Sequence, residues 1–213
     1  MSIRLIVAAS ADLLLLGAMN TLSQHPGLHV IQQCSDFQSL LTGVQSARID
    51  VILIGDTLDP ELDLWTQISQ LRQSKPCSRL ILITDRISGL MIRELLDHGL
   101  TGILCQHDEL TQHLSTAVIA AAKGTPYLSP TVNAEYLVTM QSAHAAQRLD
   151  PEARQVLNLL AHGKHAGQIG RDLGIDKRRV YWVREKLRRR FGAKTNEHLI
   201  QRAAAEGFIY PRD

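Results

Sequence analysis

Five times in the first 125 residues a short apolar run is followed by a stretch whose apolar residues share one helical face. The runs are Arg4-Leu5-Ile6-Val7-Ala8-Ala9, Leu28-His29-Val30-Ile31, Asp50-Val51-Ile52-Leu53-Ile54, Arg79-Leu80-Ile81-Leu82-Ile83-Thr84 and Gly102-Ile103-Leu104-Cys105. Their continuous apolar character fits strands buried on both faces of a parallel sheet. The intervening stretches, near 11–24, 36–47, 61–73, 87–98 and 109–123, read as helices. This alternation predicts an α/β domain with a doubly wound, five-stranded parallel sheet. Gly124-Thr125-Pro126 ends its last helix.

The pattern changes after Leu149. Gln168 to Leu173 reads as a helix, Gly174-Ile175 as a tight turn, and Asp176 as the N-cap of a second helix from Lys177 to about Arg190. That helix carries eight Lys or Arg residues in fourteen positions. Val180, Val183, Leu187 and Phe191 form its core-facing stripe, with Arg178, Tyr181, Trp182 and Glu185 opposite. Two helices, a glycine turn and a basic second helix describe a helix-turn-helix reader of the DNA major groove. Gly167 and Gly170 are unusual in the first of these helices, because each costs roughly 1 kcal/mol against Ala. They suggest that this helix starts late, near Gln168. The expected organisation is an α/β domain over 1–130, a linker over 131–148 and a smaller all-α domain over 149–213. Within the linker, Ala134 to Met140 suits a helical turn or two, and Gln141 to Arg148 is small, polar and flexible.

Charge sharpens this division. The net charge is only +2, but residues 149–213 hold 14 basic against 8 acidic residues, a balance of +6. Residues 1–148 hold 9 against 13, a balance of −4. Only the second half would gain from releasing counterions on a polyanion. No apolar run approaches the ~18 residues of a membrane helix, and no charged leader with a cleavage site is visible. Cys34, Cys77 and Cys105 are scattered, without metal-ligand spacing. A cytoplasmic protein with no cofactor and no metal is expected. An enzyme is not, because the nine histidines sit beside no nucleophile at a readable spacing and no Gly-rich phosphate loop appears.

Residues 149–203 resemble, without a gap, the LuxR-type DNA-binding domain of NarL/FixJ response regulators. The resemblance is carried by Leu149, Pro151, Arg154, Val156, Leu157, Leu160, Ala161, Gly163, Ile169, Leu173, Gly174, Ile175, Val180, Arg184, Gly192 and Leu199. Residues 3–130 resemble the flavodoxin-like receiver domain of the same regulators, through Gly99, Gly102 and the exit Gly124-Thr125-Pro126-Tyr127-Leu128-Ser129-Pro130. The resemblance implies double-stranded DNA as a partner. Lys177, Arg178, Arg179, Tyr181, Trp182 and Glu185 are the base-edge candidates; Arg184, Lys186, Arg188, Arg189 and Arg190 are candidate phosphate contacts. Trp182 reads equally as a core residue or, exposed, as a recognition element. Ala153 stands where the family keeps a Glu, and Arg179 where it keeps a Thr.

The receiver resemblance also implies an acceptor Asp after the third strand, an acidic pair after the first for Mg2+, a Thr or Ser after the fourth and a Lys after the fifth. A hard cation neutralises the charge of phosphoryl transfer, and it takes oxygen ligands. Here the acidic pair falls on Ala9 and Ser10, and the Lys position on Gln106; only Thr84 stands where expected. Counting forward from Asp50 puts Gly55 in the acceptor slot, whereas counting back from Pro60 puts Asp56 there. The two registers send Asp56 in different directions. Asp12 and Asp59 are the nearby loop carboxylates on which a rebuilt metal site would draw.

The expectation is therefore a sequence-specific transcription regulator, an atypical response regulator with a pseudo-receiver that works without Mg2+-dependent phosphorylation. Its receiver would serve in dimerisation or in sensing a ligand or partner. Leu13 to Leu16 cover more than one face of their helix, and Ala117 to Ala122 are bland, so Leu15, Leu16 and Val118 are candidates for a homodimer interface. In the family the last helix pairs two DNA-binding domains, which points to Leu199 and Ala203. Two alternatives stay open: a conventional two-component regulator phosphorylated on Asp56 by a sensor kinase, and a receiver-based module that binds another regulator, with weak DNA binding.

Overall fold

In the computed structural model the apolar runs form β1 (Ile3–Ala8), β2 (Leu28–Cys34), β3 (Val51–Gly55), β4 (Arg79–Thr84) and β5 (Gly102–Cys105). The residues described are 2–10, 12–46, 48–56, 58, 59, 62, 64–85, 87–141, 149–206, 208 and 209. The chain divides into two compact units, one made of 1–87 with 92–137 and one made of 88–91 with the chain from 138 onward. Every residue of β3 and β5 is buried, as a parallel strand covered on both sides requires. The helices between them are α1 (Asp12–Ser23), α2 (Phe37–Ser46), α3 (Leu64–Ser74), α4 (Gly89–Asp97) and α5 (Leu110–Ala122). Leu5, Val7, Leu53, Ile81, Ile83 and Leu104 pack with Leu22, Leu114 and Val118 beneath α1 and α5. The alternate side chains Ile6, Ile52, Ile54, Leu80, Leu82 and Ile103 are equally buried. At about 1.5–3 kcal/mol for each large apolar side chain, these strand interiors dominate the domain's stability.

The sheet has six parallel strands, one more than expected, in the order β2-β1-β3-β4-β5-β6. The sixth is Tyr127–Leu128, paired with Gly102 and Ile103 of β5. Tyr127 N–H donates to the Thr101 carbonyl and Ser129 N–H to that of Ile103. The strand order reverses between β1 and β3, and such a switch point opens a crevice at the carboxyl ends of the strands. Ala9, Ser10, Gly55 and Asp56 border that opening; beside it Thr84 ends β4 and Gln106 follows β5.

The stretch expected as linker begins as a helix. α6 (Pro130–Gln141) is twelve residues long, where only a turn or two was foreseen. Proline suits the first helical position, and the Asp108 carboxylate accepts from the Thr131 N–H and hydroxyl. The rest of the linker, 142–148, lies outside the described residues.

The second domain contains α7 (Pro151–Ala161), α8 (Ala166–Leu173), α9 (Lys177–Arg190) and α10 (Asn196–Ala205). Val156, Leu157, Ile169, Val180, Val183, Leu187, Phe191 and Leu199 build its core. Phe208 and Ile209 pack back on it, Phe208 meeting Phe191 edge-on at 5.3 Å. α8 starts at Ala166, two residues before Gln168, because His165 supplies its cap. His165 Nδ1 accepts from the N–H groups of Gly167 and Gln168, and the Gln168 side chain accepts from His165 N–H. Gly170 is required by the turn: a Cβ there would sit 2.8 Å from the Ile175 carbonyl oxygen. Gly174 closes α8 with φ +64°, the left-handed cap that glycine adopts without strain.

Candidate nucleic-acid interface and strand-end site

Asp176 caps α9 by accepting from Arg178 N–H at 3.2 Å, as its place in the sequence foretold. Val180, Val183 and Leu187 face inward, with Phe191 buried just beyond the helix. The opposite face is open: Lys177, Arg178, Arg179, Tyr181, Trp182, Glu185, Lys186 and Arg189 are exposed. Trp182 is 50% exposed and Tyr181 40%, so neither belongs to the core. Both rings are flanked by cations. Arg179 lies 4.5 Å and Lys186 5.5 Å from the Trp182 centroid; Arg184 lies 4.6 Å and Lys177 5.8 Å from that of Tyr181.

The basic residues are not equally placed to meet DNA. Arg179 donates two hydrogen bonds to Glu152, at 2.8 and 2.7 Å, and Lys186 one to Asp150 at 2.9 Å. Those contacts hold both carboxyl groups below the usual carboxylate range, Arg179 acting on Glu152 and Lys186 on Asp150. Arg188 is half-buried, bonded to Glu185 and to the Asn196 side chain. Among the described residues, Arg178 and Arg189 make no ion pair. Sequence reasoning missed Glu152, Asp150, His165 and Asn196. One signal for Glu152 was available: a Glu lost at Ala153 and a cation gained at Arg179 together suggest a charge pair displaced along the chain.

At the sheet's carboxyl edge, Gly55 pairs with Ile83 as the last residue of β3, and Asp56 follows the strand. A Cβ on Gly55 would point at the Ala9 methyl, 3.5 Å away, and at Leu14. Asp56 instead accepts a 2.6 Å hydrogen bond from the hydroxyl of buried Thr84. Ser10 and Gln106 are exposed. Among the described residues, the donor set at the opening thus offers one carboxylate, Asp56, beside a methyl and a glycine, which does not suit an octahedral Mg2+. Among the described residues, no group of three His, Cys, Asp or Glu side chains converges on a metal-sized site. The Asp12 side chain lies outside the described residues. Asp59 sits in the following loop, its carbonyl accepting from Gln67.

The expected dimer residues divide. Leu16 is 64% exposed, and neighbouring Leu13 is 85% exposed. Leu15 is half-buried against the sheet's core. Val118 is fully buried beneath the sheet face, and Leu199 and Ala203 are fully buried in the second domain's core. This corrects the expectation for these three: a side chain already packed within its own domain has no surface to offer a second copy. On α10 the exposed positions are instead Glu197, Gln201, Arg202 and Ala205. Between α1 and α5 runs an apolar groove of about 150 Å3, lined by Leu13, Leu14, Gly17, Ala18, Leu110 and Leu114 among others.

Among the described residues no helix is long and apolar enough to cross a membrane. No family model matches the chain. The transcriptional regulatory protein MctR of Rhizobium johnstonii is 25% identical over 170 residues, covering 79% of this chain and 78% of that protein. RcsB of Salmonella enterica serovar Typhimurium, solved bound to a promoter with a phosphomimetic beryllofluoride, superposes with a TM-score of 0.74 at 19% identity, covering 96% of this chain and 100% of that one. A structure of two RcsB dimers bound to two parallel DNAs gives a TM-score of 0.64 at 20% identity, covering 96% and 99%. The chain therefore shares the fold of response regulators in which a receiver domain precedes a helix-turn-helix domain.

Proposed function

We propose that this chain is a sequence-specific DNA-binding transcription regulator whose receiver-like domain acts without Mg2+-dependent aspartyl phosphorylation. The observation that carries the DNA reading is the outer face of α9, where a capped helix presents Arg178, Tyr181 and Trp182 while Val180, Val183 and Leu187 anchor it. Residues near the start of such a helix meet base edges, and flanking cations hold phosphates. Arg178 and Arg189 are the cations best placed for DNA. Arg179 and Lys186, both base-edge or phosphate candidates by sequence, are engaged by Glu152 and Asp150.

The receiver reading rests on the residues at the strand ends. Gly55, the last residue of β3, falls in the acceptor slot when counted from Asp50, Ala9 falls where the resemblance implies a carboxylate, and Gln106 brings no cation. With no phosphoryl trigger, association of two copies takes its place, through the groove between α1 and α5 and the exposed Leu13 and Leu16 beside it. Two-fold pairing would set half-sites about one DNA turn apart. RcsB, solved as two dimers bound to two parallel DNAs, supports the pairing of two copies on DNA.

The test is anisotropy-detected binding of the untreated protein to its own upstream DNA, with and without Mg2+ and beryllofluoride. Specific binding that ignores beryllofluoride is expected. The 2.6 Å contact of Thr84 with Asp56 favours one rival, in which Asp56 accepts a phosphoryl group that Thr84 then reads. Under that rival binding tightens with beryllofluoride, and Asp56→Asn abolishes the response.

A further inference from the structure

Two acidic residues at the start of α7 control two cations and an indole on α9. Arg179 donates through Nε and Nη2 to both oxygens of Glu152, and its guanidinium lies over Trp182 at 4.5 Å. Four residues on, Lys186 reaches the same ring from the other side of the helical stripe and is tied to Asp150 Oδ2. The other Asp150 oxygen caps α7 by accepting from Ala153 N–H at 2.8 Å, which fixes where the acidic pair stands. Trp182 is thereby flanked by cations at the i−3 and i+4 positions, both tethered to a different helix.

Physical chemistry separates the two tethers. A single ammonium–carboxylate pair at a wet surface contributes little and exchanges easily with phosphate. A bidentate guanidinium–carboxylate pair is directional, and it sets the plane in which the guanidinium can stack. An exposed aromatic side chain also loses rotamer freedom on binding unless something already holds it. An untethered arginine at this position would do the opposite work: it would reach a phosphate, adding sequence-independent affinity.

We propose that Glu152 is a positioning residue for DNA readout. It holds Arg179 over Trp182 and away from the phosphates, so that the indole enters the major groove as a fixed apolar contact. Its natural counterpart is a thymine methyl group, the apolar feature of that groove. Glu152 touches no base; it acts through Arg179 and exchanges non-specific affinity for selectivity. This inference rests on the DNA-binding reading above.

The experiment compares full-length wild type with Glu152→Gln, Glu152→Asp and Arg179→Gln. Each is titrated by anisotropy against its own upstream DNA and an unrelated duplex of equal length, across a salt series, with thermal unfolding measured alongside. Glu152→Gln is expected to bind the unrelated duplex more tightly. Its plot of log affinity against log salt should steepen by about 0.9, one added phosphate contact. Its preference for the upstream DNA should fall about fivefold or more, the loss of one oriented base contact. Glu152→Asp keeps the charge and restores the wild-type slope, and Arg179→Gln leaves that slope unchanged. A wild-type slope in Glu152→Gln, with or without lower thermal stability, would make the pair merely structural and sink the proposal. So would a slope reduced by about 0.9 in Arg179→Gln, which would make Arg179 a phosphate contact. Wild type that prefers neither duplex would overturn the DNA reading itself, a separate outcome from either of these.

Discussion

The two halves of this chain keep their folds for different reasons, and so differ in what they can lose. In the α/β half, stability resides in strand interiors such as Leu53, Ile81 and Leu104, while the chemistry of a receiver would reside at strand ends. Ala9, Gly55 and Gln106 lie at those ends, and the β1–β3, β3–β4 and β4–β5 pairings run in register up to them. In the helical half no such separation exists. α9 supplies Val180, Val183 and Leu187 to the core and Arg178, Tyr181 and Trp182 to the open face, on opposite sides of the same fourteen residues. A site built on loops at the edge of a large sheet can be emptied at little cost. A site built on a core helix of a small domain cannot.

The largest effect should therefore come from Leu187→Ala. A buried leucine truncated to alanine costs about 2–5 kcal/mol, and a domain of this size has little more than that to lose. Calorimetry should show the transition of the helical domain lowered or lost, with that of the α/β domain unmoved, and DNA binding gone. If both transitions fell together, the halves would be one cooperative body and the contrast between them would fail. Arg178→Ala comes next. It should weaken binding to the upstream DNA by about 1–3 kcal/mol while leaving unfolding of the domain unchanged, because Arg178 stands on the open face. Equal weakening on every duplex would reassign Arg178 from base edge to phosphate.

The same contrast explains what could be read from the sequence. Periodicity located five strands and the helices between them to within a few residues, because burial on two faces leaves a continuous apolar signature. It could not find β6: two residues carry no period, and Tyr127 and Leu128 pair only because β5 offers them an edge. Nor could it find the start of α6, capped by Asp108 from 23 residues away. On α9 the inner and outer stripes were legible, and the capping Asp176 with them. The partners of the outer stripe were not, since Glu152 meets Arg179 across 27 positions of sequence. Val118, Leu199 and Ala203 show the limit from the other side. Apolar identity marks a residue for burial without saying whether its own domain or a second copy provides it. His165 shows another: histidine is outside the usual capping set, and only the geometry of Nδ1 toward two N–H groups reveals the role.

The smallest effect is the one that bears most directly on how the α/β half works. Gly17 lies in the interior of α1, where glycine costs about 0.5–1 kcal/mol against alanine. Nothing among the described residues asks for it: its φ is not positive, and a Cβ would meet none of their atoms within 4 Å. It does line the groove beside Leu13 and Leu16. Gly17→Ala should thus stabilise the isolated chain by about 0.5–1 kcal/mol in thermal unfolding at low concentration, where association does not contribute. In sedimentation equilibrium the same change should weaken self-association, because an added methyl would hold a second copy away from the groove, and Leu16→Glu should abolish it. The two equilibria then move in opposite directions from one methyl group. An alanine variant that gained stability and associated as before would place the second copy elsewhere, and the groove between α1 and α5 would lose its claim as the substitute for a phosphoryl trigger.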